Sequence, residues 1–273
     1  MRPRRLWLIF IGVLVLVALV VVVTWPDREP KYQGRSLSEW VAGYDIRHPR
    51  HGKIERDRAI RQFGTNALPY LLKWIQYQRP PWKNALNRIS GGLLAKYHLL
   101  LEHKDETRAE QAEEVFRALG PEACAAAIPD LLRLMNNSKR SLSAARAMYT
   151  LVGMGTNARP ALPALITLLT NANDGAPYCA ISALGDLKLE PQLVVPALTP
   201  CLLSSNLWTR SFAAEALGRF GGEAHGAVPA LVRALGDSDA RVQYYASNAL
   251  WKIEPQALER VNAPAAEAAQ KAE

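Results

Sequence analysis

Cysteine and histidine are scarce in this chain, which limits the chemistry that it can carry. Three cysteines among 273 residues are an odd number and cannot form a closed disulfide framework, and a chain of this length does not depend on one. Two of the five histidines, His48 and His51, could bind a metal together, but no cysteine or carboxylate cluster completes the set at ligand spacing. The chain also lacks a glycine-rich phosphate loop and a Gly-x-Ser-x-Gly motif. We therefore expect no metal, no cofactor and no catalytic residue.

The composition is that of a folded protein with an excess of positive charge. The chain has 33 Lys and Arg against 25 Asp and Glu, a net charge of +8, and 49% of its residues are hydrophobic while 21% are charged. These fractions exclude a chain that is disordered throughout, and the length allows a sizeable core.

The longest hydrophobic run lies near the N-terminus and has the length of a membrane span. From Leu6 to Val23 every residue except Gly12 has an apolar side chain, and Trp7 and Trp25 stand near its two ends. As a helix, residues 6–25 would extend about 30 Å, the thickness of one hydrocarbon core, and indole prefers the headgroup level. We predict a transmembrane signal anchor at residues 6–25 after a basic tail at residues 1–5.

A cleaved signal peptide is the alternative, but it needs an apolar region of about 7–15 residues and a small-x-small cleavage site. The run is longer than that, and the sequence Val-Val-Val-Thr-Trp-Pro at 21–26 offers no such site. A short basic tail, one span and a large following domain favour a cytoplasmic N-terminus. The rest of the chain would then be extracytoplasmic, in the periplasm of a bacterial cell, with the lipid bilayer contacted through residues 6–25.

The rest of the chain is organised by a repeat of 33 residues. Four prolines lie 34, 33 and 33 residues apart, and an alanine and a leucine recur at steps of 33 in the same register. The positions are Pro129, Pro163, Pro196 and Pro229; Ala147, Ala180, Ala213 and Ala246; and Leu151, Leu184, Leu217 and Leu250. Such self-similarity at a fixed period is typical of a solenoid of stacked supersecondary units.

Each unit is predicted to be a helical hairpin. Proline suits the first turn of a helix because the N–H that it lacks would have no partner there. In the last unit, Asp239 can cap a second helix whose apolar stripe runs from Val242 to Leu250. Gly185 and Gly218 fit the C-terminus of a second helix. Because only neighbouring units can cover the apolar faces, we predict an all-α solenoid of about six hairpins.

A weaker version of the same order precedes the regular repeats. Residues 59–72 run from a helix end through a loop to Pro69 and another apolar helix. The 60 residues that separate Pro69 from Pro129 exceed the period, so we expect an insertion within about 76–110.

The segment between the anchor and the repeats has signals of its own. Ser36 and Glu39 have the spacing of a capping box at the start of a short helix, and residues 44–56 look like a solvated loop. We therefore divide the chain after the anchor into a juxtamembrane segment at 26–56, the solenoid at 57–262 and a flexible Ala-rich tail at 263–273.

These motifs resemble a known family of repeats. The frame Ala-x-x-Ala-Leu-Gly, a short linker and Val-Pro-x-Leu is similar to the short bacterial HEAT-like repeats, including those of the phycobilin lyases. The segments AIRQFGTNALPYLLKWI and YQGRSLSEW also look like bacterial membrane-anchored HEAT-repeat proteins. The resemblance covers residues 57–262 and departs from the family pattern at Gln243 and Trp251, which suits a terminal, capping unit. It implies a non-catalytic scaffold for protein–protein interaction.

The resemblance also raises two enzymatic interpretations. Some HEAT-repeat enzymes hold a di-iron centre through paired His-Glu dipeptides, and this chain contains no His-Glu dipeptide. The lyase relatives leave open a reactive thiol at Cys179, or a disulfide between Cys179 and Cys201 if the domain is exported. Cys179 occupies the repeat position of Phe212 and Tyr245, which indicates core packing. A bilin-lyase-like enzyme is one alternative function, and a binder of nucleic acid or of an anionic surface through the basic residues 47–96 is the other.

Positive charge is concentrated in one stretch. Residues 47–96 hold 11 Lys and Arg against Glu55 and Asp57, a net charge of +9. The candidate basic surface consists of Arg47, Arg50, Lys53, Arg56, Arg58, Lys73, Arg79 and Lys83. Trp74 and Trp82 in the same stretch could stack on nucleic-acid bases, but a neighbouring anionic membrane explains the charge equally well, and so does a solvated face. Because the domain is expected outside the cytoplasm, a nucleic-acid partner is not expected.

A solenoid typically binds its partner on the surface lined by the second helices. Exposed positions near the turns between helices are the best candidates on that surface, and we select Trp208, Arg210, Arg241 and Tyr244. We therefore predict that an unidentified protein partner is held there, near the membrane.

Overall fold

Paired helices make up most of the chain that the structure describes. The computed structural model describes residues 29–43, 49–78, 104–137, 142–170 and 176–260. Strands β1 (Lys31–Tyr32) and β2 (Arg35–Ser36) form a small antiparallel hairpin. The helices are α1 (Leu37–Ala42), α2 (Pro49–Phe63), α3 (Leu68–Ile75), α4 (Lys104–Val115), α5 (Pro121–Asn137), α6 (Leu142–Gly153), α7 (Leu162–Leu168), α8 (Ala176–Leu187), α9 (Pro191–Leu198), α10 (Leu207–Phe220), α11 (Val228–Ala234) and α12 (Ala240–Ile253). Short 3-10 segments lie at Gly64–Ala67, Phe116–Ala118, Gly155–Ala161, Thr199–Leu203 and Gly221–Ala227.

The helices stack in two layers. The second helices α4, α6, α8, α10 and α12 contact one another in that order, and the first helices α3, α5, α7 and α9 do the same. Helix α11 packs against α12 at one end, and α1 packs against α2 and α4 at the other. This arrangement of stacked helix pairs confirms the predicted helical repeat architecture, to which the β-hairpin is a small addition.

The core follows the predicted register. The four alanines and four leucines that recur at steps of 33 are all 0% exposed. Because each lies on the second helix of its unit, the small and large side chains alternate along one continuous hydrophobic core. The positions that recur every 33 residues in the sequence are therefore the positions that form the core between units.

Two predicted helix caps are present. The Ser36 hydroxyl accepts a hydrogen bond from the Glu39 N–H at 3.3 Å, and the Glu39 carboxylate accepts one from the Ser36 N–H at 2.6 Å. The second of these bonds is the main reason that the pKa of Glu39 is lowered. At the other end of the chain, the Asp239 carboxylate accepts a hydrogen bond from the Arg241 N–H at 2.9 Å and caps α12.

The prediction for the prolines is right in three units and wrong in two. Pro69, Pro163 and Pro229 lie in the first turn of α3, α7 and α11. Pro129 and Pro196 lie inside α5 and α9 instead, because these helices begin earlier, at Pro121 and Pro191. A second proline upstream already supplies the helix start in those two units.

Gly185 and Gly218 lie near the C-terminus of their helices, as predicted, but inside the last turns of α8 and α10 and not after the last helical residue. A Cβ atom on Gly185 would lie 2.7 Å from the Ala216 Cβ, and one on Gly218 would lie 2.9 Å from the Ala249 Cα. Successive second helices therefore approach each other most closely at a glycine facing an alanine.

Several predicted segments need correction or lie outside the described residues. Residues 49–56, predicted as part of a loop, belong to α2, and residues 104–110 of the predicted insertion belong to α4. The predicted anchor at 6–25, with Trp7 and Trp25, and the tail at 263–273 lie outside the described residues. Among the helices that are described, none has both the length and the apolar character needed to cross a bilayer.

Candidate functional site

Aromatic side chains and an arginine line up across successive second helices. The Arg241 guanidinium of α12 lies over the Trp208 ring of α10, with 4.1 Å between its carbon and the ring centroid, well within cation–π range. The Trp208 ring also stacks on Phe212 at a centroid distance of 6.3 Å. The 33-residue period produces this contact, because Trp208 and Arg241 occupy the same position in consecutive units.

The line of side chains continues into the preceding unit and along α12. The Tyr178 ring of α8 lies 5.9 Å from the Phe212 ring, and its hydroxyl accepts a hydrogen bond from the Asn206 amide at 2.6 Å. On α12, Tyr244 follows one turn after Arg241, packs edge-on against Tyr245 and is 62% exposed. We call Tyr178, Phe212, Trp208, Arg241 and Tyr244 the aromatic row. Three of the four residues predicted for partner binding belong to it.

The fourth, Arg210, was predicted to be exposed but is held in a structural contact. Its Nε and Nη2 donate to the two Asp237 carboxylate oxygens at 2.7 and 2.9 Å, and Nη1 donates to the Ser204 carbonyl at 2.8 Å. These bonds lower the pKa of Asp237. Gln243, one unit after Arg210, donates to the Asp237 carbonyl at 2.6 Å. Arg210 therefore joins two units and is not available to a partner.

Among the described residues of the predicted basic surface, Arg56 is buried while Lys53, Arg58 and Lys73 are exposed. Arg56 is only 3% exposed and donates to the Glu114 carboxylate at 2.9 Å, while the Lys53 ammonium lies 3.5 Å from the same carboxylate. The hydrogen bond from Arg56 lowers the pKa of Glu114, so these charges bind α2 to α4. Arg58 and Lys73 are exposed, whereas Arg47, Arg79 and Lys83 and the side chain of Arg50 lie outside the described residues.

A second concentration of charge, which the sequence analysis missed, lies where α3, α4 and α5 meet. An open groove of about 580 Å³ there is lined by Lys73, Trp74, Tyr77, Arg108, Asp130 and Arg133, together with apolar neighbours. We call it the cationic groove. The repeat register held a signal for it, because Lys73 and Arg133 are each the fourth residue after Pro69 and Pro129. Arg108 gave no such signal because it follows the insertion.

The cysteines have the surroundings of core residues. Cys124 and Cys201 are buried, Cys179 is half-buried against the core, and all three are free thiols. Burial raises the pKa of each thiol, which disfavours the reactive thiolate at neutral pH. Within residues 29–260, as far as the structure describes them, no group of His, Cys, Asp or Glu could hold a metal ion.

Comparison with known proteins supports the repeat. The family model described as HEAT repeats matches residues 162–251. A search of the curated proteins gives no match. Among solved structures, an engineered protein from the Northeast Structural Genomics Consortium is similar over 80% of this chain and 96% of its own, at 20% identity and a TM-score of 0.39. A designed armadillo repeat protein in complex with the peptide (KR)4 is similar over 80% and 98%, at 16% identity and a TM-score of 0.41.

Proposed function

We propose that the protein is a non-catalytic scaffold, tethered to a membrane, that binds a partner protein through the aromatic row. The observation that carries the proposal is the stack of Arg241 on Trp208 beside the exposed Tyr244. Trp, Tyr and Arg are the residue types that contribute most binding energy at protein interfaces. The aromatic row places all three types across three successive units.

The side chains of the aromatic row are held in place before a partner arrives. Asn206 caps α10 by accepting a hydrogen bond from the Trp208 N–H at 2.9 Å, and the same side chain donates to Tyr178. Arg241 is fixed over the Trp208 ring. A preformed surface loses less conformational entropy on binding, so it favours affinity.

The proposal of a membrane tether rests on residues 6–25 of the sequence. A span of that length with a short basic tail favours a cytoplasmic N-terminus, with the helical repeats outside the cytoplasm. The aromatic row would then face partners close to the outer surface of the membrane. The absence of catalysis is proposed because two of the three thiols are buried, Cys179 is half-buried against the core, and the pKa values of all three are raised.

The test is site-specific photo-crosslinking in cells that express the full chain with a photoreactive amino acid at Tyr244. We expect one protein adduct in the membrane fraction after a carbonate wash. The substitutions Trp208→Ala and Arg241→Ala should reduce that adduct at least about fivefold, because each removes a residue of hot-spot type. Leu193→Ala is the matched control, since Leu193 is 49% exposed but lies on α9 in the other layer.

Two results would contradict separate parts of the proposal. An undiminished adduct in the Trp208→Ala, Arg241→Ala variant would contradict the proposal that the aromatic row is the binding surface. Extraction of the full chain from membranes by carbonate would contradict the proposed tether but not the proposed binding surface.

A further inference from the structure

The cationic groove is a recessed site, unlike the aromatic row. It lies between the first helices α3 and α5 and the second helix α4, and its volume of about 580 Å³ falls within the range of sites that enclose ligands. Lys73, Arg108 and Arg133 bring three positive charges to its walls, and Asp130 brings one negative charge.

The cations of the groove are arranged in different ways. The Arg108 guanidinium lies over the Trp74 ring, with 5.2 Å between its carbon and the ring centroid, and it makes no ion pair within the described residues. A guanidinium held against an aromatic face keeps its planar donors available for a carboxylate. Arg133 is 70% exposed and donates to Asp130 Oδ1 at 2.7 Å, a pair weak enough in water to exchange partners.

We propose that the cationic groove binds an acidic segment of a partner protein. Carboxylates of that segment pair with Arg108, Arg133 and Lys73, and Asp130 accepts a backbone N–H from the same segment. The inference rests on the proposed scaffold function, because a protein partner must carry the segment. The cationic groove adds a second contact of different chemistry near one end of the solenoid, while the aromatic row lies toward the other end.

Charge and shape favour a peptide over the other anions that a basic site could bind. A nucleic-acid backbone offers only acceptors along its phosphates and gives the Asp130 carboxylate no hydrogen-bond donor, whereas a peptide supplies backbone N–H donors. A flat bilayer surface meets the rim of a groove, whereas an extended peptide segment can lie along its walls. The guanidinium groups of Arg108 and Arg133 can pair bidentately with the carboxylates that such a peptide carries.

The test is fluorescence anisotropy with the full chain in detergent micelles. The probe is a fluorescein-labelled peptide of eight alternating Asp and Glu residues, compared with the same peptide built from Asn and Gln. We expect the acidic peptide to bind and the amide peptide to bind at least about tenfold more weakly, since each charge-assisted hydrogen bond is worth more than a neutral one. Binding of the acidic peptide should also weaken with salt.

Variants locate the site. Arg108→Gln and Arg133→Gln should each weaken the acidic peptide about tenfold, because each removes one guanidinium from the groove. Arg233→Gln is the matched control: Arg233 is the fourth residue after Pro229, the same register position as Arg133, but it lies on α11 away from the groove. That control should change the affinity less than about twofold.

Three outcomes would overturn the proposal. The first is equal binding of the acidic and amide peptides, and the second is an equal loss of affinity in Arg133→Gln and Arg233→Gln. The third is that a 15-nucleotide thymidine strand or phosphatidylserine vesicles bind at Arg108 and Arg133 more tightly than the acidic peptide does. The Trp208→Ala variant, which keeps the photoreactive amino acid at position 244, keeps the proposed function separate. If this variant loses the photo-crosslinked partner but binds the acidic peptide normally, the two sites are independent. A failure of the full chain to bind the acidic peptide would count only against the groove and not against the proposed function.

Discussion

Arg210 and Asp237 form the strongest contact between two units near the aromatic row. Their bidentate geometry, with both Arg210 donors within 2.9 Å of the Asp237 carboxylate, is the charge-assisted arrangement that contributes most among hydrogen bonds. Both side chains are mostly shielded from water, at 14% and 12% exposure. The pair therefore fixes α10 against the loop that precedes α12.

The pair also makes stability depend on pH. The hydrogen bonds from Arg210 hold the pKa of Asp237 below its ordinary value, which is about 3.9 in an unfolded chain. Between the two values the unfolded state binds more protons than the folded state, so stability falls as the pH falls. The stabilisation is complete above about pH 5 and is lost as the pH drops through the folded-state pKa.

Asp237→Asn is expected to lower the free energy of unfolding by about 1–3 kcal/mol at pH 7. The difference from the unchanged protein should shrink below about pH 4, because protonation of Asp237 then removes the same charge. Asp186→Asn is the control, since Asp186 pairs with Arg219 at a more exposed site and should cost less than about 1 kcal/mol. Chemical denaturation at a series of pH values measures this, and a pH-independent difference would argue against it.

At the scale of the helices, the contact between Gly218 and Ala249 sets how closely α10 and α12 pack. Replacing a helical glycine by alanine ordinarily stabilises a helix by about 0.5–1 kcal/mol. Here the added Cβ would lie 2.9 Å from the Ala249 Cα, and a backbone atom cannot move aside as a flexible side chain can. Packing should therefore outweigh helix propensity at this position.

Gly218→Ala is expected to destabilise the protein by about 1–3 kcal/mol, the usual cost of overpacking. Gly222→Ala is the matched control, because a Cβ there would meet nothing within 4 Å, and we expect it to be neutral or slightly stabilising. Thermal unfolding of both variants measures the difference. A Gly218→Ala protein as stable as Gly222→Ala would mean that α10 and α12 are farther apart than in the structure.

The elements show which features a sequence reveals and which it does not. The period of 33, the Ser36 capping box and the Asp239 cap depend on local order or on strict recurrence, so the sequence predicted them. Arg210 and Arg56 were predicted to be exposed because their partners lie far along the chain, Asp237 in the loop before α12 and Glu114 on α4. The distance between partners along the chain is what made these two positions unpredictable.

The candidate sites follow the same rule. The aromatic row could be predicted in part, because Trp208 and Arg241 are one period apart. The cationic groove could not, because the insertion shifts α4 out of register and places Arg108 beside Lys73 and Arg133 only in the folded chain. The 33-residue period predicts contacts between regular units, but it does not predict contacts in a unit that is irregular.

For the whole molecule, Trp251 shows where the regular stacking stops. It lies 33 residues after Gly218, at the position where a further second helix would pack as α12 packs on α10. An indole occupies that position and is 66% exposed. A further unit could not approach α12 as closely as α12 approaches α10, which favours the predicted role of this unit as a terminal, capping unit.

A stack of this kind should open locally, because each unit contacts only its neighbours. We expect Gly218→Ala to accelerate amide hydrogen exchange in α10 and α12 several-fold while leaving α1 to α3 within about twofold of the unchanged protein. Ile75→Val, at a 0% exposed position on α3, should do the reverse at a cost of about 0.5–1.5 kcal/mol. Hydrogen exchange of the full chain, followed by mass spectrometry, measures both. Equal acceleration of hydrogen exchange at both ends in either variant would show that the solenoid unfolds as one cooperative unit. In that case a partner bound at the aromatic row would also stabilise the helices of the cationic groove.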